Sequence, residues 1–205
     1  MLSLEDGQTL VKAARMAVEL HLSGKKPDTT ERPSSELKEN RGVFVTLLDH
    51  SRAKMLRGCI GILQPSRPLI EQTKIAAVEA ATSDYRFEPL QLEEAKRRIV
   101  FEVSVLSPIE PISVKNPLDL RENVIVGRDG LLVDGMGSKG LLLPQVAIDE
   151  GFESEEFLSQ CCIKADLPPD AWLTGQVRVS RFQAQIFSEE TPNGRVVERT
   201  LKQTR

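Results

Sequence analysis

Apolar residues at a helical spacing of three and four predict five helices. Within residues 3–23, Leu10 and Val18 lie on one apolar face, and Ser3 with Asp6 can cap the start. Proline suits the first turn of a helix, where no backbone N–H is needed, and serine caps a helix start well. These signals predict helices over residues 68–83, 144–150 and 154–165, and the charged segment 91–97 predicts a further short helix.

Shorter runs with alternating apolar positions predict the strands. Residues 43–49 and 54–63 are joined by the short segment 50–53, which predicts a β-hairpin, and residues 99–106 predict a third strand. Two glycines in Gly127-Arg128-Asp129-Gly130 favour a hairpin turn. The remaining predicted strands are residues 124–126 and 131–133, on either side of that turn, and a long final strand over residues 176–187.

Strands near both ends of the chain with helices between them predict an α+β fold, with a mostly antiparallel sheet flanked by helices. Residues 25–40 are rich in Lys, Glu, Ser, Thr and Pro and lack a hydrophobic period, so we expect a mobile surface loop. Residues 191–205 are polar, and we expect a loosely held tail.

Composition narrows the class of protein. Of 205 residues, 40% are hydrophobic and the formal net charge is -3, which favours a packed core and gives no basic footprint for nucleic acid. Nucleic-acid binding is therefore only weakly supported. Apolar runs are too short for a membrane span, and no secretory signal precedes them. Three cysteines, two of them adjacent, do not suggest a disulfide framework, so we expect a cytoplasmic protein.

One segment of the second strand concentrates candidate chemistry. Regular alternation would place Arg57, Cys59 and Gly61 on one face and the more apolar Leu56 and Gly58 on the other. A guanidinium beside a thiol lowers the thiol pKa, so Arg57 could assist Cys59 as a nucleophile. Glycines inside a strand weaken it, and the reasons to keep them are a bulge or the close approach of a ligand or of another backbone. A buried, inert cysteine is the competing interpretation.

Polar residues outside this strand complete the candidate set. Glu102 and Ser104 share a face of the third strand and could meet Arg57 and Cys59, with an Arg57–Glu102 ion pair as the structural alternative. Asp84 and Arg86 flank a tyrosine in the linker 84–89 and could line a cleft or fix the loop. The predicted ligand or partner cleft comprises Arg57, Gly58, Cys59, Gly61, Asp84, Arg86, Glu102 and Ser104.

Other common chemistries find little support. His50 lies in the hairpin turn, far along the strand from Cys59, and His21 lies on the first helix, so a Cys–His pair is disfavoured. No usual metal-ligand spacing occurs, and no metal is predicted. Gly135-x-Gly137-x-x-Gly140 matches a dinucleotide-binding pattern without its strand–helix context, so no cofactor is predicted.

Seven segments in order along the chain form one recognisable pattern. They are Gly42–Leu47, Leu56–Gly61, Asp84–Pro89, Glu102–Leu106, Gly127–Leu131, Gly140–Val146 and Lys164–Trp172. Through these segments the chain resembles the AMMECR-type domain family, as an archaeal or bacterial single-domain member. One departure is Asp166, which stands where the family usually has a glycine that ends a helix in the left-handed conformation.

The resemblance implies one domain over residues 1–190, built from a larger and a smaller lobe with a cleft between them. It implies no reaction. Relatives are often encoded near a Memo-like protein and a radical SAM enzyme, which points to a shared modification pathway. Three hypotheses therefore stay open: a binding module for a protein, RNA-related or small-molecule partner, a thiol-dependent enzyme or redox protein using Cys59 with Arg57 and Glu102, or a purely structural role for the motif.

Overall fold

A computed structural model describes residues 1–25 and 33–203. In this part of the chain the five predicted helices are confirmed, and one short helix is added. The helices are α1 (Leu4–Leu22), α2 (Leu69–Thr82), α3 (Leu92–Arg97), α4 (Leu120–Asn123), α5 (Pro144–Glu150) and α6 (Ser154–Lys164).

The strands form two sheets, so the α+β prediction is confirmed. The first sheet has the order β2-β1-β3-β8-β9 and the second has the order β4-β7-β5-β6. The strands are β1 (Val43–Asp49), β2 (Met55–Ile62), β3 (Ile99–Leu106), β4 (Glu110–Pro111), β5 (Gly130–Gly135), β6 (Ser138–Leu142), β7 (Val177–Phe182), β8 (Ala184–Glu189) and β9 (Val196–Glu198).

The chain divides into two compact units, of which the first comprises Met1–Leu106 and Gln185–Arg199. Here α1 and α2 pack on the first sheet, whose residues on that side form one apolar cluster with them. The start of α1 carries the predicted capping box between Ser3 and Asp6. Because both helices pack on one face of the sheet, the polar side chains of β1 and β2 lie on the opposite face.

The second unit comprises Ser107–Ala184 and the residues from Thr200 onwards. Its core forms between the second sheet and α6, with Phe157, Leu158 and Trp172 nearly inaccessible to solvent. After α6, Asp166 has a φ of 56°, so it holds the left-handed conformation that glycine usually supplies. The departure from the family pattern at this position therefore keeps the backbone conformation and changes only the residue.

Two strand predictions were wrong in detail. The hairpin is formed by β5 and β6, which turn at Met136 and Gly137, and residues 124–126 are not its first strand. Within 127–130 only Gly127 has a positive φ, whereas a two-residue hairpin turn of this type needs two such residues. The carboxylate of Asp129 accepts a hydrogen bond from the N–H of Ile125 at 2.9 Å and closes a local turn instead.

The long final strand is also divided. Its first part, β7, belongs to the second sheet and its second part, β8, to the first sheet. The break falls at Gln183, whose N–H and carbonyl are bonded by Ser107 at 2.9 and 2.8 Å. Because of these bonds, Gln183 pairs with neither sheet, and the chain passes from the second sheet to the first at this residue. The alternation of side chains does not reveal this change.

Two segments expected to be loose contain ordered elements. Part of the predicted loop 25–40 lies outside the described residues. In residues 33–40, Leu37 is buried in the core of the first unit and Ser34 donates a hydrogen bond to Asp6 at 2.7 Å. The predicted tail contains β9, which pairs with β8. Composition did not predict the ordered elements in these two segments, because a single buried leucine or valine is enough to anchor a polar stretch.

No helix in the described residues is long and apolar enough to cross a membrane.

Candidate functional site

All eight predicted cleft residues lie in the first unit, six of them on β2 and β3, the two strands that flank β1. Antiparallel pairing places Cys59 opposite Thr46, and Thr46 opposite Glu102. We call these three residues the thiol row. The sulfur of Cys59 lies 3.4 Å from the hydroxyl oxygen of Thr46. The adjacent row consists of Gly61, Phe44 and Ser104. Cys59, Glu102 and Ser104 therefore lie on one face of the sheet, with β1 between Cys59 and the other two.

A β-bulge corrects the predicted position of Arg57. Leu47 pairs with Gly58 but Leu48 pairs with Leu56, so Arg57 is left without a partner in the register. The alternation therefore breaks, and Leu56 falls on the side of the thiol row where Arg57 had been predicted. The side chain of Arg57 instead binds Glu94 of α3 through two hydrogen bonds, of 2.9 and 3.2 Å. The predictions that Arg57 assists Cys59 or pairs with Glu102 were wrong.

The two glycines beside Cys59 permit two different close approaches. A Cβ on Gly58 would lie 2.2 Å from the carbonyl oxygen of Ala80, so Gly58 lets the backbone of α2 contact the strand. A Cβ on Gly61 would lie 2.1 Å from the ring of Phe44, so Gly61 lets that ring lie over the strand. Packing within the chain explains both positions. Gly58 lies beside a bulge and against another backbone, as predicted, whereas Gly61 accommodates a side chain.

Asp84 and Arg86 form a clamp on the edge of the first sheet. One oxygen of Asp84 accepts a hydrogen bond from the backbone N–H of Cys59 at 2.8 Å. The guanidinium of Arg86 donates to both carboxylate oxygens of Asp84, at 2.9 and 2.7 Å, and reaches the carbonyl of Cys59 at 3.4 Å. Because β2 is an edge strand, the clamp satisfies backbone groups that a further strand would otherwise pair.

The electrostatics of the site keep the thiol protonated. Burial raises the pKa of the Cys59 thiol, and the hydrogen bond with Thr46 and the positive charge of Arg86 offset this only in part. The negative charges of Asp84 and Glu102 raise the same pKa further. For Asp84 the shift has the other sign. Hydrogen bonds from Arg86 and from the N–H of Cys59 lower its pKa to about 2, although burial acts to raise it.

Sequence reasoning missed three participants. Thr46 links Cys59 to Glu102, Glu94 binds Arg57, and Arg199 lies 3.5 Å from the carboxylate of Glu102. Strand register would have identified Thr46, because it lies at the centre of the first alternating segment, residues 43–49. Nothing in the sequence pattern marks Glu94 or Arg199, which reach the site from α3 and from the residue after β9.

The described residues contain no group of three or more His, Cys, Asp or Glu side chains placed to hold a metal ion. Neither His21 nor His50 forms a side-chain hydrogen bond with Cys59 in the described part of the chain. The arrangement offers a neutral thiol, a fixed carboxylate–guanidinium pair and exposed side chains around them.

The clamp makes stability depend on pH in a defined direction. A carboxyl whose pKa is lowered on folding stabilises the fold above its ordinary pKa and loses that effect as the pH falls through the folded value. We expect Asp84→Asn to lower the free energy of unfolding by about 2 kcal/mol near neutral pH, from the shift between 3.8 and about 2. The difference from the parent should shrink between about pH 4 and pH 2.

Urea unfolding at several pH values measures this difference. Glu88→Gln is the matched control, because Glu88 is exposed in the same loop, and should change stability by less than about 0.5 kcal/mol. A difference for Asp84→Asn that stays constant down to about pH 2 would show that the charge of Asp84 does not stabilise the fold.

Comparison with known proteins gives a consistent assignment. The sequence profile of the AMMECR1 family matches residues 11–187. A protein from Thermofilum pendens is 49% identical over 211 residues, with 98% of each chain covered. Protein MJ0810 from Methanocaldococcus jannaschii is 47% identical over 201 residues, again with 98% of each chain covered. The crystal structure of the uncharacterized protein PH0010 from Pyrococcus horikoshii superposes with a TM-score of 0.91 at 44% identity, covering 96% of this chain and 98% of that one. The chain belongs to the AMMECR1 family.

Proposed function

We propose that this protein is a binding module that recognises a partner protein through the edge of its first sheet. The observation that carries the proposal is Tyr85, which is 93% exposed at the tip of the clamp formed by Asp84 and Arg86. The proposed surface, called the Tyr85 surface below, comprises Met55, Leu56, Tyr85, Arg86 and the exposed part of Cys59.

A rigid turn presents the tyrosine. Besides its bonds to Cys59 and Arg86, Asp84 accepts a hydrogen bond from the N–H of Phe87 through its carbonyl, at 3.0 Å. The N–H of Leu90 donates to the carbonyl of Ala81 at 2.8 Å, which fixes the far end of the loop to α2. A side chain held on an ordered backbone loses little entropy on binding, so this turn is a pre-organised anchor.

Side chains near the turn suit protein recognition. The guanidinium groups of Arg57 and Arg86 lie 6.0 and 5.4 Å from the ring centre of Phe87, which links β2 to the turn. On β2 itself, Met55 and Leu56 are 62% and 42% exposed. Tyrosine and arginine dominate binding energy at protein interfaces, and exposed apolar neighbours exclude water around them.

The protonation state of Cys59 favours binding over thiol chemistry. A nucleophilic cysteine needs a lowered pKa, whereas burial raises the pKa of this thiol. The guanidinium expected to activate it is bound to Glu94. We therefore propose that Cys59 contributes shape to the surface, holds Asp84 in the clamp through its backbone N–H, and does not act as a nucleophile.

The partners to test first are a Memo-like protein and a radical SAM enzyme encoded in the same genome, because relatives are often encoded beside them. Each would be purified and titrated into the full chain by calorimetry. We expect one of them to bind, Tyr85→Ala and Arg86→Ala to weaken binding about 30-fold or more, and Cys59→Ser to retain it.

Met136→Ala serves as the matched control, because Met136 is also strongly exposed but lies in the second unit. It should bind like the parent. Binding that survives Tyr85→Ala would remove the Tyr85 surface from the proposal. Failure of both candidate proteins to bind the parent would reject these partners. A turnover that Cys59→Ser abolishes would reject the binding module in favour of a thiol enzyme.

A further inference from the structure

A groove lies wholly within the second unit, at the edge of the second sheet. Its volume is about 470 Å³, which is within the range of small-molecule and peptide sites. Its lining is mostly apolar, with two cationic side chains. Its walls include Val114, Lys115, Trp172, Val177, Arg178 and Val179.

The groove exists because β4 is shorter than β7. In this pairing Glu110 lies opposite Arg181 and Pro111 opposite Ser180. The N–H of Ile112 also donates to the carbonyl of Val179, at 2.9 Å. Beyond that bond the chain leaves β7, and no backbone hydrogen bond joins described residues 113–116 to Val177. The strand itself continues, since Val177 pairs with Gly135 of β5 on its other side.

The open stretch of β7 can accept another strand. Successive residues of a strand direct their backbone N–H and C=O groups to opposite sides. Because the carbonyl of Val179 is directed toward β4, the backbone groups of Val177, two residues earlier, are directed the same way, into the groove. They offer one donor and one acceptor to an extended peptide lying where a longer β4 would run.

The charge of the groove indicates what such a peptide carries. Lys115 and Arg178 are exposed and line the groove, and neither has an ion-pair partner within 4.0 Å in the described part of the chain. The carboxylate nearest to Arg178 by strand register is Asp134, which binds Lys139 at 2.9 Å. Among the described residues, none of those that line the groove is acidic. Acidic side chains in the peptide would meet both cations.

We propose that this groove binds an extended acidic peptide segment of a partner protein, which adds to the open edge of β7. Alternate apolar side chains of the peptide would contact Val177, Val179 and the wall that contains Trp172, and its carboxylates would meet Lys115 and Arg178. This site is separate from the Tyr85 surface in sequence and belongs to the other unit.

The single tryptophan of the chain provides the readout, because Trp172 forms part of the groove wall. The probe is a capped hexapeptide of alternating valine and glutamate. We expect saturable change in Trp172 fluorescence and slower hydrogen exchange at the Val177 amide. Reversing both cations, as Lys115→Glu with Arg178→Glu, should weaken binding about tenfold, since each lost surface pair becomes a like-charge contact.

Three controls, one variant and two peptides, separate strand addition from other kinds of binding. Lys12→Glu reverses the charge of an exposed lysine on α1 and should leave binding unchanged. The alternating valine–lysine peptide and an acidic peptide methylated on its backbone nitrogens should not bind. Equal binding of the methylated peptide would overturn strand addition. Full competition by inorganic phosphate would reduce the groove to an anion site. Reversible dimers without peptide, abolished by the double reversal, would assign the open edge to a second copy of the chain.

Discussion

Arg15→Met should lower the free energy of unfolding by about 3–5 kcal/mol, because it leaves a buried carboxylate without its cation. Arg15 and Glu189 are 7% and 3% exposed, and the guanidinium donates to both carboxylate oxygens, at 2.7 and 2.6 Å. The same guanidinium also donates to the carbonyls of Ala95 and Ile99, at 3.0 and 2.6 Å. One side chain of α1 thus connects α3, β3 and β8.

The matched control for this change is Arg97→Met. Arg97 forms an ion pair with Glu93 at 3.1 Å, but its side chain is 79% exposed, so the loss should stay below about 1 kcal/mol. Urea unfolding of both variants measures the contrast, and the melting temperature of Arg15→Met should fall by on the order of 10 °C. Adding Glu189→Leu to Arg15→Met should recover part of the stability, because no charge is then left buried. A loss below about 1 kcal/mol for Arg15→Met alone would contradict this account.

The elements of this fold could be predicted largely from residue spacing. The helix over 3–23 was predicted from its apolar face and from the capping of Ser3 by Asp6, and both features are local. The first hairpin and β3 were predicted from the alternation of side chains along a strand, although β3 is buried on both faces. Such signals are contained in a window of ten to twenty residues, so no tertiary information is needed.

The errors arose where distant contacts override local pattern. The bulge at Arg57 depends on how β2 aligns with β1, and it moves one residue out of the alternation. The break at Gln183 depends on Ser107, which lies 76 positions earlier in the chain. For the candidate site, the pairing of Asp84 with Arg86 was within reach because the two residues are adjacent to one tyrosine. Their bonds to Cys59 join residues 25 and 27 positions apart, which spacing does not encode.

The site also explains why a motif with a cysteine at its centre misled the prediction of chemistry. Gly58, Gly61 and Cys59 are small, and each is small for a packing reason: α2 contacts one, the ring of Phe44 covers another, and Thr46 contacts the third. Two glycines close to a thiol are also the pattern expected of a site that admits a ligand. The contacts within the chain account for the same residues without a reaction.

Gly58→Ala should lower the free energy of unfolding by about 2–3 kcal/mol, the upper part of the range for overpacked cores. The added methyl group would lie 2.2 Å from the carbonyl oxygen of Ala80, an atom of the α2 backbone. Because α2 packs against both β1 and β2, it cannot move away without opening the core of the first unit. Urea unfolding midpoints at constant slope measure the loss.

Gly61→Ala is the matched control on the same strand, and its expected effect is smaller although the nominal overlap is similar. Its methyl group would meet the ring of Phe44 at 2.1 Å, but that ring is half-buried and can rotate about its own side-chain bonds. Alanine also orders a strand better than glycine by about 0.5–1 kcal/mol, which offsets part of the cost. Equal losses in the two variants would mean that the glycines act through backbone flexibility, and that the contact between α2 and β2 does not require Gly58.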